Sequence, residues 1–61
     1  MKAKVEYSLP EYSEVIDLTE YGYGELTKWE DLTVNQQHEI EDILRMENVV
    51  IFVNVKGIED N

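Results

Sequence analysis

The 61-residue sequence contains no cysteine. This absence excludes disulfide bonds, thiolate metal sites and cysteine nucleophiles. A domain of about 60 residues buries only about 60% of the surface that its unfolded chain exposes, so its core is marginal. Because no covalent crosslink is available, we expect a second chain to supply further stabilisation, and we predict a homodimer.

Basic residues are also scarce, since five Lys and Arg stand against 14 Asp and Glu and the net charge is −9. The magnitude of this net charge exceeds the range of roughly 2–8 that suits a small soluble domain. Affinity for a nucleic-acid duplex comes mainly from cations that neutralise phosphates, so we expect no direct binding to nucleic acid. A surface rich in carboxylates should instead attract a protein with a basic groove.

The sequence has no apolar run of membrane-spanning length, and its first residues lack the apolar core of a signal peptide. These two absences predict no membrane partner and a cytoplasmic location. With 43% apolar residues, the chain is too hydrophobic for a disordered acidic tail. We therefore expect one folded domain over residues 1–61, in which residues 56–61 form a frayed tail.

Hydrophobic periodicity predicts two strands at the ends of the chain and one main helix between them. Residues 2–9 alternate between apolar and polar, which is typical of a half-buried strand, and Pro10 ends it. Residues 49–56 form the most apolar run and predict another strand. Residues 34–47 predict the helix, with Thr33 and Gln36 as its capping box and Asn48 as its left-handed end. The residues predicted to form the buried stripe of this helix are Ile40, Ile43 and Leu44. The residues predicted to lie on its outer face are His38, Glu39, Asp42 and Arg45.

The segment EYSEVIDLTEYGYGE, residues 11–25, fits two structures. The β-branched residues Val15, Ile16 and Thr19 and the alternation around them favour a strand. A helix that begins with a capping box between Ser8 and Glu11 is the alternative. Two glycines in residues 21–24 predict a loop. The element order is then β-β-α-β, an α+β domain with an antiparallel three-stranded sheet and one main helix packed on one face.

The last predicted strand is apolar on both faces, whereas one helix can cover only one of them. We expect the face with Val50 and Phe52 to meet the Trp29 segment, a second copy of the chain or a partner. Trp29 itself is predicted to fill the core between helix and sheet rather than to bind a partner. Thr27 and Glu30 around it predict a first, short capped turn.

The sequence offers no motif for catalysis or for metal binding. His38 is the only histidine, and the segment HEIED from His38 to Asp42 lacks the second histidine of the H-E-x-x-H motif. The simpler interpretation is two exposed pairs one helical turn apart, His38 with Asp42 and Glu41 with Arg45. No calcium-loop motif and no nucleophile–base pair is present. We therefore predict no metal, no cofactor and no enzymatic activity.

Dispersed acids on a compact chain without cysteine are the most distinctive feature of the sequence. In this respect the chain resembles the small acidic DNA-mimic inhibitors of bacteriophages and mobile elements, which share no single fold or motif. The resemblance implies a non-enzymatic inhibitor in the host cytoplasm that blocks the DNA-binding surface of a basic host protein. Such partners include a histone-like protein, a nuclease, a restriction enzyme, a repair glycosylase or a CRISPR effector.

The candidate partner-binding residues are the acids of residues 11–25, the two tyrosines among them and the acids on the outer helix face. They are Glu11, Glu14, Asp17, Glu20, Tyr21, Tyr23, Glu25, Glu39 and Asp42. Two other functions fit the same sequence. One is an immunity or antitoxin-like neutraliser of a basic toxin, and the other is a phage structural or assembly accessory that uses its apolar sheet face.

Overall fold

Three strands and one long helix form the protein in a computed structural model, which describes residues 1–58. The elements are β1 (Lys2–Ser8), β2 (Tyr12–Asp17), a first 3-10 helix (Leu18–Tyr21), a second 3-10 helix (Trp29–Asp31), α1 (Val34–Asn48) and β3 (Phe52–Gly57). The sheet is antiparallel, its strand order is β2-β1-β3, and α1 packs on one face. The predicted α+β fold with β-β-α-β order is therefore confirmed.

The central strand β1 divides the sheet into a buried and an uncovered face. Its alternation places Ala3, Val5 and Tyr7 toward α1, where all three are buried. The strand register aligns Ile16 of β2 with Ala3 and Val55 of β3 with Val5, so these neighbours enter the same core. Helix α1 does not cover the opposite face, which carries the polar residues of β1.

The core lies between this sheet face, α1 and the chain segment before α1. Ile40 and Leu44 of α1 are buried, and Trp29 is only 7% exposed, which confirms its predicted place in the core. The prediction for Ile43 was wrong, because Ile43 is 41% exposed. It lies about 100° around the helix from Leu44 and so faces the flank of α1 rather than the sheet. The complete set of buried apolar residues is Ala3, Val5, Tyr7, Ile16, Leu18, Trp29, Leu32, Ile40, Leu44, Val50 and Val55.

Residues 11–25 adopt the preferred strand only as far as Asp17. The Asp17 carboxylate accepts hydrogen bonds from the backbone N–H of Thr19 (3.1 Å) and from its hydroxyl (2.9 Å). Such local bonds compete with the strand ladder, and the chain turns into the first 3-10 helix. Gly22, with φ of +91°, ends that helix in the left-handed region. Tyr21, which we predicted in the loop, is therefore the last residue of this helix.

The ends of the helical segments follow the predicted capping chemistry with one shift. The Thr33 hydroxyl accepts from the Gln36 N–H (3.2 Å), and the Gln36 side chain accepts from the Thr33 N–H (2.9 Å), which confirms that capping box. The predicted Thr27–Glu30 box is wrong by one residue. The Asp31 carboxylate instead accepts from the Lys28 N–H at 3.0 Å, so the short helix begins one position later.

The segment from α1 to β3 differs from the prediction because the chain turns after the helix. Helix α1 includes Asn48, and Val49 instead takes the left-handed conformation with φ of +49°. Val50 joins the core, whereas Phe52 is 61% exposed, so these two residues do not share the face on which we placed them. Strand β3 consequently begins at Phe52 rather than at residue 49.

The predicted tail is shorter than expected. Lys56 and Gly57 pair with β1 as part of β3, opposite Lys4 and Ala3, so these two positions are not frayed. Ile58 follows β3 directly and is half-buried, and residues 59–61 of the predicted tail lie outside the described residues.

We expect Val49→Asn to raise the free energy of unfolding by about 1 kcal/mol. A left-handed backbone is unfavourable for a β-branched residue, whereas Asn adopts it readily. The Val49 side chain is 84% exposed, so its loss removes few contacts. Urea unfolding followed by circular dichroism measures the difference. Val34→Asn is the control, because Val34 is also exposed but lies in α1 itself. If the Val49 variant were no more stable than the wild type, the prediction would be contradicted.

Candidate functional site

Charge is unevenly distributed over the protein. We define the open side as the sheet face that α1 leaves uncovered together with the turn between β1 and β2. Three basic and three acidic residues lie there: Lys2, Lys4, Lys56, Glu6, Glu11 and Asp17. The Lys56 ammonium lies 3.3 Å from the Glu6 carboxylate, and Asp17 is directly opposite Lys2 in the register. The open side therefore carries no net charge.

All the excess charge of residues 1–58 lies elsewhere, on the surface that we call the helix side. It comprises α1, the connection from β2 to α1, and the face of β2 that points toward α1. Nine acids lie there: Glu14, Glu20, Glu25, Glu30, Asp31, Glu39, Glu41, Asp42 and Glu47. Lys28 and Arg45 are the two bases against these nine acids, so the net charge of the helix side is −7.

Glu14 is held in place by a hydrogen-bond network at the edge of the core. The Tyr7 hydroxyl donates to the Glu14 carboxylate at 2.9 Å, and it accepts from the Asn48 side-chain amide at 3.1 Å. The same amide donates to the Leu44 carbonyl at 2.9 Å. The Tyr12 ring stacks on that of Tyr7 with centroids 4.5 Å apart. This network connects β1, β2 and the end of α1, and it fixes one carboxylate against the aromatic rings.

The charges of two further carboxylates, Glu20 and Glu47, act together with that of Glu14 on the half-buried Tyr21 side chain. Burial, followed by the negative charges of Glu47, Glu14 and Glu20, raises the pKa of the Tyr21 phenol. We call these four residues, Glu14, Glu20, Tyr21 and Glu47, the acidic cluster. It lies at the β2 edge of the sheet beside the C-terminal end of α1, where the helix dipole adds further negative potential.

The cluster brings together three of the residues that the sequence suggested, namely Glu14, Glu20 and Tyr21. Tyr23 is half-buried and packs against the core, and Glu25 lies in the exposed loop after it. Both line a shallow depression of about 750 Å³ between this loop and the first turn of α1. They therefore extend the helix side but lie outside the acidic cluster.

The other four suggested residues lie apart from the acidic cluster. Glu11 and Asp17 belong to the open side, and Asp17 caps the first 3-10 helix through Thr19. Glu39 and Asp42 are exposed on the surface of α1 that faces away from the sheet. The nine residues therefore do not form one continuous surface, because the strand register and the helix orientation separate them.

Asp42 forms an ion pair with Arg45 three residues later, and both side chains are exposed. Among the described residues, α1 forms no other ion pair. The predicted His38–Asp42 and Glu41–Arg45 pairs are therefore wrong. An exposed pair of this kind contributes little to stability.

Sequence analysis missed Glu47. Its signal was an acid in the last turn of the predicted helix, where a base would suit the dipole better. Its negative charge acts on Tyr21 because the C-terminal end of α1 lies close to β1 and β2, where Asn48 bonds to Tyr7 and Tyr7 bonds to Glu14. That proximity depends on tertiary structure, so the local signal could not show that Glu47 belongs with Tyr21.

Within residues 1–58, no helix is long and apolar enough to cross a membrane, and no three His, Asp or Glu side chains converge on a metal-binding geometry. No protein-family model matches the chain, and comparisons with curated proteins and with solved structures give no match either. The function must therefore be inferred from the charge and geometry of the site.

We expect the free energy of unfolding to decrease above about pH 10, because the Tyr7 phenol loses its proton more readily in the unfolded chain. Burial and the hydrogen bond to Glu14 raise the pKa of the Tyr7 phenol above its usual value of 10.0. The unfolded chain then releases this proton at lower pH than the folded chain does. The free energy of unfolding is therefore unaffected below pH 10 and falls above it, and Tyr21 contributes in the same direction.

Urea unfolding between neutral pH and about pH 11 tests this dependence. Tyr7→Phe should reduce the slope above pH 10, and at neutral pH it should cost about 1–2 kcal/mol because Glu14 and Asn48 lose their shared partner. Tyr23→Phe is the control, since its hydroxyl is not part of this network. An unchanged slope in the Tyr7 variant would show that other groups cause the alkaline loss.

Proposed function

We propose that this protein is a non-enzymatic acidic inhibitor that binds the nucleic-acid-binding surface of a basic host protein by mimicking nucleic-acid charge. The observation that supports the proposal is the separation of charge between a helix side of −7 and a neutral open side. Three of the five bases lie on the open side, so they leave the helix side with little cationic compensation. A surface of that kind attracts a cationic groove and accelerates association with it.

The acidic cluster is the proposed centre of the contact. Glu14 is already ordered by Tyr7, so binding need not immobilise that carboxylate. Tyr21 supplies a large amphipathic ring among the carboxylates, and such rings contribute contact area at low entropic cost. Glu20 and Glu47 are exposed beside it and are free to meet Lys or Arg side chains of a partner. Glu39 extends the same negative surface along α1.

The kind of partner follows from this chemistry. A groove that binds phosphates presents several Lys or Arg side chains, and the helix side offers carboxylates in place of those phosphates. Histone-like proteins, nucleases, restriction enzymes, repair glycosylases and CRISPR effectors all carry such grooves. A basic toxin would be bound by the same chemistry, which makes toxin neutralisation a variant of this proposal.

Affinity capture from a bacterial lysate at low salt tests the proposal. The immobilised chain should retain nucleic-acid-binding proteins, which mass spectrometry would identify, and these should elute as the salt concentration rises. Each retained protein, once purified, should be displaced from the chain by free duplex DNA. Retention of no nucleic-acid-binding protein, or simultaneous binding of DNA and of this chain, would contradict charge mimicry.

One observation favours a second candidate function, that of an assembly accessory. Ile51 and Phe52 at the start of β3 are 60% and 61% exposed, so an apolar surface is present as well. Binding through that surface should be insensitive to salt and lost in Phe52→Asp. The elution profile of the captured proteins therefore separates the two functions.

A further inference from the structure

Strand β2 presents unpaired backbone groups along one edge of the sheet. The Leu18 N–H donates to the Met1 carbonyl at 2.9 Å, so these two residues are a hydrogen-bonded pair at the end of the β1–β2 ladder. Such pairs alternate along antiparallel strands, and the register therefore directs the N–H and C=O groups of Ser13 and Val15 away from β1. Within residues 1–58, these groups bond to no other backbone group. The edge of β2 can therefore pair with a further strand.

The opposite edge of the sheet is less accessible. The second 3-10 helix packs against β3, and the Glu30 carboxylate lies against the backbone of Gly57. Strand β2 pairs with β1 residue for residue and contains no Pro, Gly, Lys or bulge, which are features that commonly prevent an edge strand from pairing further. The β2 edge is consequently the better acceptor of a strand.

Two side chains of β2 determine which strand fits this edge. Glu14 points to the helix side, where the Tyr7 hydroxyl donates to its carboxylate at 2.9 Å. Val15 points to the open side and is 57% exposed. A strand added about 4.8 Å from β2 would place one series of its side chains beside Glu14 and the other beside Val15. The first series meets negative charge, and the second meets an apolar surface.

We propose that the β2 edge binds an extended segment of the basic partner as an antiparallel fourth strand, in which Lys or Arg side chains alternate with apolar ones. The basic side chains then lie beside Glu14, and the apolar side chains cover Val15. This inference rests on the proposed function, because it names the element through which a basic partner is recognised. Main-chain hydrogen bonds supply affinity in this mode of binding, and alternate side chains supply specificity.

Charge selects this occupant over a second copy of the chain. Residues 11–25 contain no Lys or Arg, so two β2 strands in contact would bring one acidic cluster against another without compensation. The same carboxylates attract a strand that carries cations. The edge is therefore protected against pairing with its own kind but remains open to a basic segment.

Amide hydrogen exchange on the full chain, followed by NMR, tests the proposal with a capped nine-residue peptide of alternating Lys and Val. The peptide should slow exchange of the Ser13 and Val15 amides. The Val53 amide is the internal control, because the same alternation directs it outward at the β3 edge, and its exchange rate should not change. A peptide of alternating Glu and Val should protect none of them. Equal protection at both edges, or none at Ser13 and Val15, would overturn the proposal.

Two N-methylated peptides separate strand pairing from attraction between charges. Directly opposite residues of antiparallel strands share a sheet face, so the peptide residues whose N–H groups face β2 are those beside Val15, namely the Val residues. Methylation of the Val amides should weaken binding at least about 10-fold relative to methylation of the Lys amides, at the same peptide charge. Equal affinity of the two peptides would mean that charge alone holds them, and strand addition would be wrong.

The chain itself offers a matched pair of variants. Val15→Pro removes one outward N–H and is compatible with an edge strand, whereas Val15→Ala loses the same side chain but keeps the N–H. The Pro variant should bind the Lys–Val peptide at least about 10-fold more weakly than the Ala variant does. Circular dichroism checks that both variants fold, and the methylated peptides give the same comparison on the wild-type chain.

Capture from the lysate distinguishes failure of this proposal from failure of the proposed function. If DNA-displaceable basic proteins are retained equally by the wild type and by Val15→Pro, strand addition is wrong and the proposed function stands. If the Lys–Val peptide protects Ser13 and Val15 but no nucleic-acid-binding protein is retained, the proposed function is wrong and the β2 edge still binds a basic strand. Reduced retention by Val15→Pro, with normal retention by Val15→Ala, is the expected result.

Discussion

Trp29→Ala is expected to lower the free energy of unfolding by about 3–5 kcal/mol. The side chain is 7% exposed and lies among the buried residues that join α1 to the sheet. Truncation of a buried Trp typically costs about 3–5 kcal/mol through lost burial and the remaining cavity. A protein of this length has a total stability of only about 3–9 kcal/mol at the usual value per residue. One substitution therefore removes much or all of the stability.

The position of Trp29 makes the cavity difficult to fill. Its backbone carbonyl accepts a hydrogen bond from the Gln37 side chain at 2.9 Å, which ties the second 3-10 helix to α1. The segment cannot easily move inward to close the space. The sequence has no cysteine for a disulfide, and the residues from Met1 to Ile58 form no metal-binding group, so neither kind of crosslink compensates for the loss.

Urea unfolding followed by far-ultraviolet circular dichroism measures this effect. Circular dichroism is used because the variant has lost the Trp fluorescence. Leu26→Ala is the control, since Leu26 is 88% exposed in the preceding loop and should change stability by less than about 0.5 kcal/mol. If the Trp29 variant unfolded at the same urea concentration as the wild type, Trp29 would not be a core residue.

Reversal of two charges in the acidic cluster should abolish partner binding. Glu20→Lys/Glu47→Lys places two cations beside Tyr21 without breaking the hydrogen bond between Tyr7 and Glu14. We expect the affinity for a basic partner to fall at least about 100-fold at low salt. That loss is roughly 2.7 kcal/mol for two charges, which lies within the range for close charge pairs at interfaces.

A variant of equal net charge provides the control. Glu6→Lys/Glu11→Lys also adds two charges at each of two positions, which changes the net charge from −9 to −5 in both variants. These substitutions lie on the open side, so affinity should change only a few-fold. Titration calorimetry at several salt concentrations compares the variants with the wild type. Equal losses in both variants would mean that binding follows total charge and not the acidic cluster.

Local signals in the sequence were sufficient for most of the fold. The alternation of residues 2–8 defines β1, and Thr33 with Gln36 defines the start of α1, because both depend on residues close together in the chain. Errors occurred where a side chain competed with the regular pattern. Asp17 ends β2 by bonding to Thr19, and the turn at Val49 delays β3 by several residues.

Strand register determined what the acids of residues 11–25 can do. The first four, at positions 11, 14, 17 and 20, are three residues apart and suggest one charged series, but alternate strand residues point to opposite faces. Glu14 consequently points toward α1 and binds Tyr7, whereas Asp17 lies on the open side opposite Lys2. The same register places Lys4 and Lys56 side by side and concentrates cations away from the acidic cluster.

Composition and periodicity establish a small α+β domain with a large excess of negative charge and no means of covalent crosslinking, because these properties depend on residue types and on near neighbours. They do not establish which carboxylates share a surface. Glu14 and Glu47 both act on the Tyr21 phenol because the end of α1 is tied to β1 and β2 through Asn48, Tyr7 and Glu14, which are distant in the chain. The position of the acidic cluster, and its separation from the neutral open side, are therefore properties of the tertiary structure.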